Sequence, residues 1–156
     1  METMQILNFP EFRFRIAGTV DQKTIFDRVR RKFVRLTPEE WVRQHMIHYL
    51  TEVKSVPESM IGVEKRLMVN GLVKRFDIAV FARAGNPVLL VECKAPSVSV
   101  SEKAYDQAAR YNMQLKVNYF VITNGLDHFC CRIDYELSNY TFIREVPSYE
   151  EMTVLV

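Results

Sequence analysis

The chain has 156 residues, a length that suits one domain and can bury a core without disulfide or metal staples. Hydrophobic residues make up 48% and charged residues 26%. Apolar runs such as Val88-Leu89-Leu90-Val91 are far short of a membrane span, so no membrane partner is expected. No basic flank precedes an apolar stretch at the N-terminus, which reads as a cytoplasmic protein.

Residues 1–36 carry eight Lys and Arg against four acids, while the rest of the chain has thirteen bases and fifteen acids. This segment reads as an irregular basic arm packed on a domain that spans 37–156. Alternation in Phe12-Arg13-Phe14-Arg15-Ile16 suggests a short edge strand. Arg30, Arg31 and Lys32, next to Phe33, suit contact with phosphates and equally suit a solvated face.

A helix is expected from residue 37 to about 54. Thr37 is placed to cap it, Pro38 suits its first position, and Glu40 follows three residues on as in a capping box. Its apolar stripe is Val42, Met46, Tyr49, Leu50 and Val53, with Glu39 and Arg43 inside the stripe and Glu40 off it. Strands are expected at 61–70 and 72–82, joined by the Asn70-Gly71 turn, and at 88–94. Ser101 caps a second helix at 102–116, and a buried strand follows at 118–123. The tail offers strands at 128–135 and 140–145. His45 and His48 read as surface residues rather than metal ligands. The three cysteines lack zinc-site spacing and read as reduced, buried thiols. The fold class is α/β, with an α-β-β-β-α-β core, a mixed central sheet flanked by helices, the N-terminal arm and a C-terminal hairpin.

Glu92 and Lys94 close an otherwise apolar strand and point to one face, with Cys93 on the other. Asp77 interrupts the preceding strand in the same way. Carboxylates bind Mg²⁺, which activates water and neutralises developing phosphate charge, and an adjacent lysine stabilises a phosphoryl transition state. Glu92 and Lys94 alone would read as a structural ion pair. Glu64, near the start of the sheet, reads as an exposed strand charge.

Asp77 followed by Glu92-Cys93-Lys94 resembles the D…(D/E)-x-K signature of the PD-(D/E)-x-K nuclease superfamily. Gln107-Ala-Ala-Arg-Tyr111 resembles its Q-x-x-x-Y element. With Leu36-Thr-Pro-Glu-Glu-Trp-Val-Arg43, Val91-Glu-Cys-Lys-Ala-Pro96 and Thr123-Asn-Gly125, the stretch 36–126 is similar to the N-terminal nuclease domain of type I restriction R subunits. The resemblance implies the restriction-endonuclease-like fold. It makes Asp77, Glu92 and the Cys93 backbone carbonyl the ligands of Mg²⁺ or Mn²⁺, and Lys94 the catalytic lysine. Gln107 would hold Lys94 or a water, Glu39 would supply a further acid, and Tyr111 would contact DNA or serve as a core aromatic.

A P-loop is missing, so no nucleotide cofactor or ATP-driven motor is expected here. The chain reads as a free-standing domain or as one piece of a longer protein. The expected activity is that of a metal-dependent DNA endonuclease, with DNA and restriction-system subunits as partners. The alternative is a non-cleaving module on the same fold that binds nucleic acid or a partner protein.

Overall fold

The computed structural model describes residues 4–69 and 71–154, and of the side chains of Val69, Leu72 and Tyr111 only the backbone is described. Asn70, half of the expected turn, and the Tyr111 side chain therefore lie outside the described residues.

The N-terminal segment is more regular than its composition suggests. β1 (Ile16–Gly18), β2 (Lys23–Asp27) and β3 (Lys32–Arg35) form a three-stranded antiparallel sheet. The strand expected at 12–16 is not there. The Phe14 ring instead packs 4.7 Å from the His45 ring and 4.5 Å from that of His48. The aromatic alternation reflects packing on a helix rather than pairing in a ladder. Both histidines are consequently buried, at 7% and 8% exposure, which corrects their expected surface placement. Burial moves both below their ordinary pKa.

That helix, α1 (Pro38–His48), continues into a π-helical turn at Tyr49–Val53. The Glu40 backbone N–H donates to the Thr37 hydroxyl at 3.0 Å, so the cap forms as expected. The other half of the capping box does not. The Glu40 carboxylate turns inward and accepts from Arg30 and Arg43.

Six strands make the main sheet: β4 (Ile61–Val69), β5 (Leu72–Phe81), β6 (Pro87–Cys93), β7 (Tyr119–Thr123), β8 (His128–Asp134) and β9 (Asn139–Ile143). They lie side by side in chain order. All neighbours are antiparallel except β6 and β7, which run parallel and are joined across one face by α2 (Glu102–Asn112). A short α3 (Tyr149–Thr153), capped by Ser148, follows the C-terminal hairpin. No helix of the described residues is long and apolar enough to cross a membrane.

The sheet carries a core on each face. Val42, Met46 and Ile47 of α1, with Leu50 of the π-helical turn that continues it, cover Ile78, Val80, Leu89 and Val91. Tyr105 and Ala109 of α2 cover Phe76, Ala79, Leu90 and Phe120. Each fully buried large apolar side chain contributes about 1.5–3 kcal/mol, which fixes the strand register on both faces.

The N-terminal sheet is fastened to α1 through Asp27, which is wholly buried. Its Oδ1 accepts from the backbone N–H groups of Val29 and Arg30 at 2.8 and 2.9 Å. Its Oδ2 accepts from Arg30 Nε at 2.6 Å and Gln44 Nε2 at 2.9 Å. Burial alone would raise this carboxyl, but the donors outweigh it and hold the group below its ordinary range. A depressed folded pKa stabilises the fold above the unfolded value of about 3.9, and that contribution fades as pH falls through the folded value. Asp27→Asn is expected to lose roughly 1.5–3 kcal/mol in urea denaturation at pH 7. The gap from wild type should narrow below about pH 4; a gap of constant size at pH 7 and pH 3 would contradict this assignment.

Candidate active site

β5 and β6 separate where the acidic residues begin. Their ladder ends at the pair Ile78 and Val91, and one residue beyond on each strand come Asp77 and Glu92. Phe76 and Ala79 lie in the α2-side core while Ile78 and Val80 lie in the α1-side core. Strict alternation would put residues 76 and 78 on one face, so the strand slips phase at Asp77. The neighbouring strand breaks at the same level: Glu64 has φ +54° and drops out of a ladder that is otherwise continuous from Val63 to Lys65.

Asp77 takes up the room this creates. Its Oδ2 accepts the Cys93 backbone N–H at 2.8 Å, standing in for the missing ladder partner. Its Oδ1 accepts from Arg43 of α1 at 2.8 Å. Arg43 is 6% exposed, and it also meets Glu39 at 3.1 Å, Glu64 at 3.8 Å and the buried Glu40. Burial would lower its pKa, but Glu40 and Asp77 raise it further, so the guanidinium is permanently charged. Glu64 in turn pairs with Arg75 at 2.9 Å and Arg30 at 3.5 Å. An acid expected to be a plain exposed charge is thus part of the network behind Asp77.

Glu92 shares the α2-side face with Leu90, and its nearest cation is Lys74 at 3.7 Å. Burial lowers the Lys74 pKa, and Glu92 offsets part of that. Lys94 lies just past the end of β6 and is exposed. Its backbone N–H donates to the Thr123 carbonyl at 2.8 Å, while its ammonium has no ion-pair or hydrogen-bond partner among the described residues. The loop that follows is fastened by Asn124, whose Nδ2 donates to the Val98 carbonyl at 2.8 Å. The Thr123-Asn-Gly125 turn therefore holds the segment that carries Lys94.

The remaining expected residues are placed unevenly. Glu39 reaches the site only through Arg43, and its side chain is 47% exposed, whereas Glu40 is buried at 4%. The single-stripe reading of α1 had these two reversed, because the N-terminal sheet covers a second face of the helix. Gln107 is exposed on α2, and its side chain bonds to no other described residue. Arg30 points inward onto Asp27 and Glu40, while Arg31 and Lys32 stay exposed. The Cys93 thiol is buried, and burial pushes its pKa well up, which leaves only its backbone for ligation.

No group of three or more His, Cys, Asp or Glu side chains among the described residues is gathered closely enough to hold a metal. The donor chemistry nonetheless fits a hard cation: two carboxylates and a peptide carbonyl are all oxygen ligands. Arg43 and Lys74 now sit against those two carboxylates, so a divalent ion would compete with a guanidinium and an ammonium for them.

No curated protein matches the chain. Among solved structures, a fragment described as an HsdR subunit of a type I restriction enzyme from Vibrio vulnificus YJ016 is 21% identical, with a TM-score of 0.53. The match covers 75% of this chain and 24% of that one, so the present chain spans about a quarter of that relative's length. At that identity the likeness concerns the fold, and the α-β-β-β-α-β core with its mixed sheet is the restriction-endonuclease-like arrangement expected. Residues 38–147 match the family described as type I restriction enzyme R protein N terminus, and with most of its length matched, the chain belongs to that family.

Proposed function

We propose that this domain is a Mg²⁺-dependent DNA endonuclease, the phosphodiester-cleaving part of a restriction system whose other parts choose and move the DNA. The observation that carries the reading is the meeting of Asp77 and the Cys93 backbone at the point where β5 and β6 part, with Glu92 on the adjoining residue. Asp77, Glu92 and the Cys93 carbonyl would hold the metal. When bound, it would supply charge neutralisation at the scissile phosphate and a more acidic water.

The chain's own groups divide the remaining work. Arg43 holds the Asp77 carboxylate in place before any cation arrives. Lys94 has no partner for its ammonium among the described residues and lies at the open end of the strand, where it can follow the charge that develops on a phosphoryl group. Gln107 on α2 would steady Lys94 or a water, and Glu39 would add a further acid once released by Arg43. Hydrolysis would leave a 5′-phosphate.

Isothermal calorimetry with Mg²⁺ or Mn²⁺ tests the reading without relying on turnover. Wild type should bind the metal, and Asp77→Asn and Glu92→Gln should each abolish most of the heat. Binding that ignores both substitutions would sink the proposal. One feature favours the alternative of a non-cleaving module that binds nucleic acid or a partner protein: both acids already have cationic neighbours. On that reading neither metal gives any heat.

A further inference from the structure

Beyond Asp77 the sheet narrows to two strands. β6 pairs with β5 only between Ile78 and Phe81, whereas β4 and β5 stay in register out to Val69 and Leu72. The pairs from Lys65 with Phe76 outward therefore stand past the end of β6 as a two-stranded ribbon. Gly71, at φ +77°, supplies the left-handed position its tight turn requires.

The ribbon is unlike the rest of the surface. Residues 65–75 hold four bases, Lys65, Arg66, Lys74 and Arg75, and no acid. Arg66 lies directly across the ladder from Arg75, a like-charge pairing that destabilises a sheet. Lys65 and Arg66 are exposed, and their side chains make no ion pair or hydrogen bond among the described residues. Arg75 reaches back to Glu64 at 2.9 Å, yet its side chain remains 56% exposed. Nearer the tip, Met68 and Val73 face each other across the ladder at 77% and 60% exposure. Lys74 and Arg75 are tied to Glu92 and Glu64, but the side chains of Lys65 and Arg66 have no such partner among the described residues, and their charge, with the exposure of Met68 and Val73, works against an isolated ribbon.

We propose that the β4–β5 ribbon is a DNA-binding arm that enters the major groove of a duplex. Lys65, Arg66 and Arg75 meet phosphates, and Met68 and Val73 lie against the groove. A two-stranded ribbon has the width that the major groove admits, and a basic stripe free of acids is the electrostatic footprint of phosphate contact. The ribbon's root is Asp77, so a duplex held along it comes to the acids where β5 and β6 part. This deepens the endonuclease reading and rests on it for the meaning of that root.

The test uses the whole chain and a fluorescently labelled 30-base-pair duplex in EDTA, read by anisotropy across 50–200 mM salt. Lys65→Ala with Arg66→Ala should weaken binding by on the order of tenfold or more and flatten the slope of log K against log salt by about two. A charge-matched control, Arg13→Ala with Arg83→Ala, removes two exposed bases away from the ribbon and should bind like wild type. Equal losses in the two double variants would overturn the proposal, because net charge alone would then account for binding. Unchanged affinity on removing Lys65 and Arg66 would also overturn it, and so would a wild type that does not bind duplex, leaving a protein as the ribbon's occupant. Metal calorimetry on the same ribbon variant keeps the two readings apart. Wild-type heat with lost DNA affinity supports both, while metal failure in wild type would remove the endonuclease reading and leave the arm standing.

Discussion

Lys94→Ala is expected to lower Mg²⁺-dependent plasmid cleavage by about 10²–10³-fold, the usual effect of removing one preorganised charge from a transition state. Thermal stability should stay within about 0.5 kcal/mol of wild type, as for exposed substitutions generally. The separation of the two effects follows from the geometry. The Lys94 side chain is exposed and its ammonium partners no described residue, so its removal takes nothing from the fold. Its backbone N–H bond to Thr123 survives the substitution. Metal heat should survive as well, since the ammonium is not among the oxygen donors. Glu92→Gln makes the complementary case, because it should lose cleavage and metal heat together. Lys94→Arg tests the shape of the cation: a planar guanidinium is a poor substitute for a compact ammonium and should recover little. Equal cleavage by wild type and Lys94→Ala would leave the lysine without a catalytic role.

The strands of the core were legible because their burial is simple. The run Val88-Leu89-Leu90-Val91 is apolar on both faces and lies in mid-sheet under two helices. Asp77 and Glu92 stood out for the same reason, as charges breaking an apolar pattern. What stayed hidden depends on contacts between distant segments. Arg43 and Glu40 lie in one helix, but their roles come from Asp77 on β5 and Arg30 ahead of β3. One apolar stripe describes a helix covered on one side, and α1 is covered on two. The slip at Glu64 and Asp77 is equally invisible, since nothing local marks Glu64 for a positive φ. One signal was available and unused: Ser148 followed by Glu151 has the capping-box spacing, and it opens α3.

Arg43→Met is expected to cost about 3–5 kcal/mol, the range for breaking a buried ion pair from one side. That would be a large part of the 5–15 kcal/mol typical of a folded domain. Methionine keeps much of the side-chain volume, so the loss measures charge rather than a cavity. Without Arg43, among the described residues Glu40 keeps Arg30 as its cationic partner, and Asp77 keeps the Cys93 N–H. Adding Glu40→Gln should recover part of the loss, and the double-mutant cycle should return a coupling of roughly 0.5–3 kcal/mol. The decisive measurement is denaturant unfolding of wild type and Arg43→Met at increasing Mg²⁺. A cation that binds the folded chain stabilises it by RT ln(1 + [L]/Kd). The variant no longer has a guanidinium competing for Asp77, so it should gain more from each increment of metal. The gap between the two proteins should therefore shrink as Mg²⁺ rises. A gap that does not respond to Mg²⁺ would mean that Arg43 only supports the fold, and that guanidinium and metal do not share the Asp77 carboxylate.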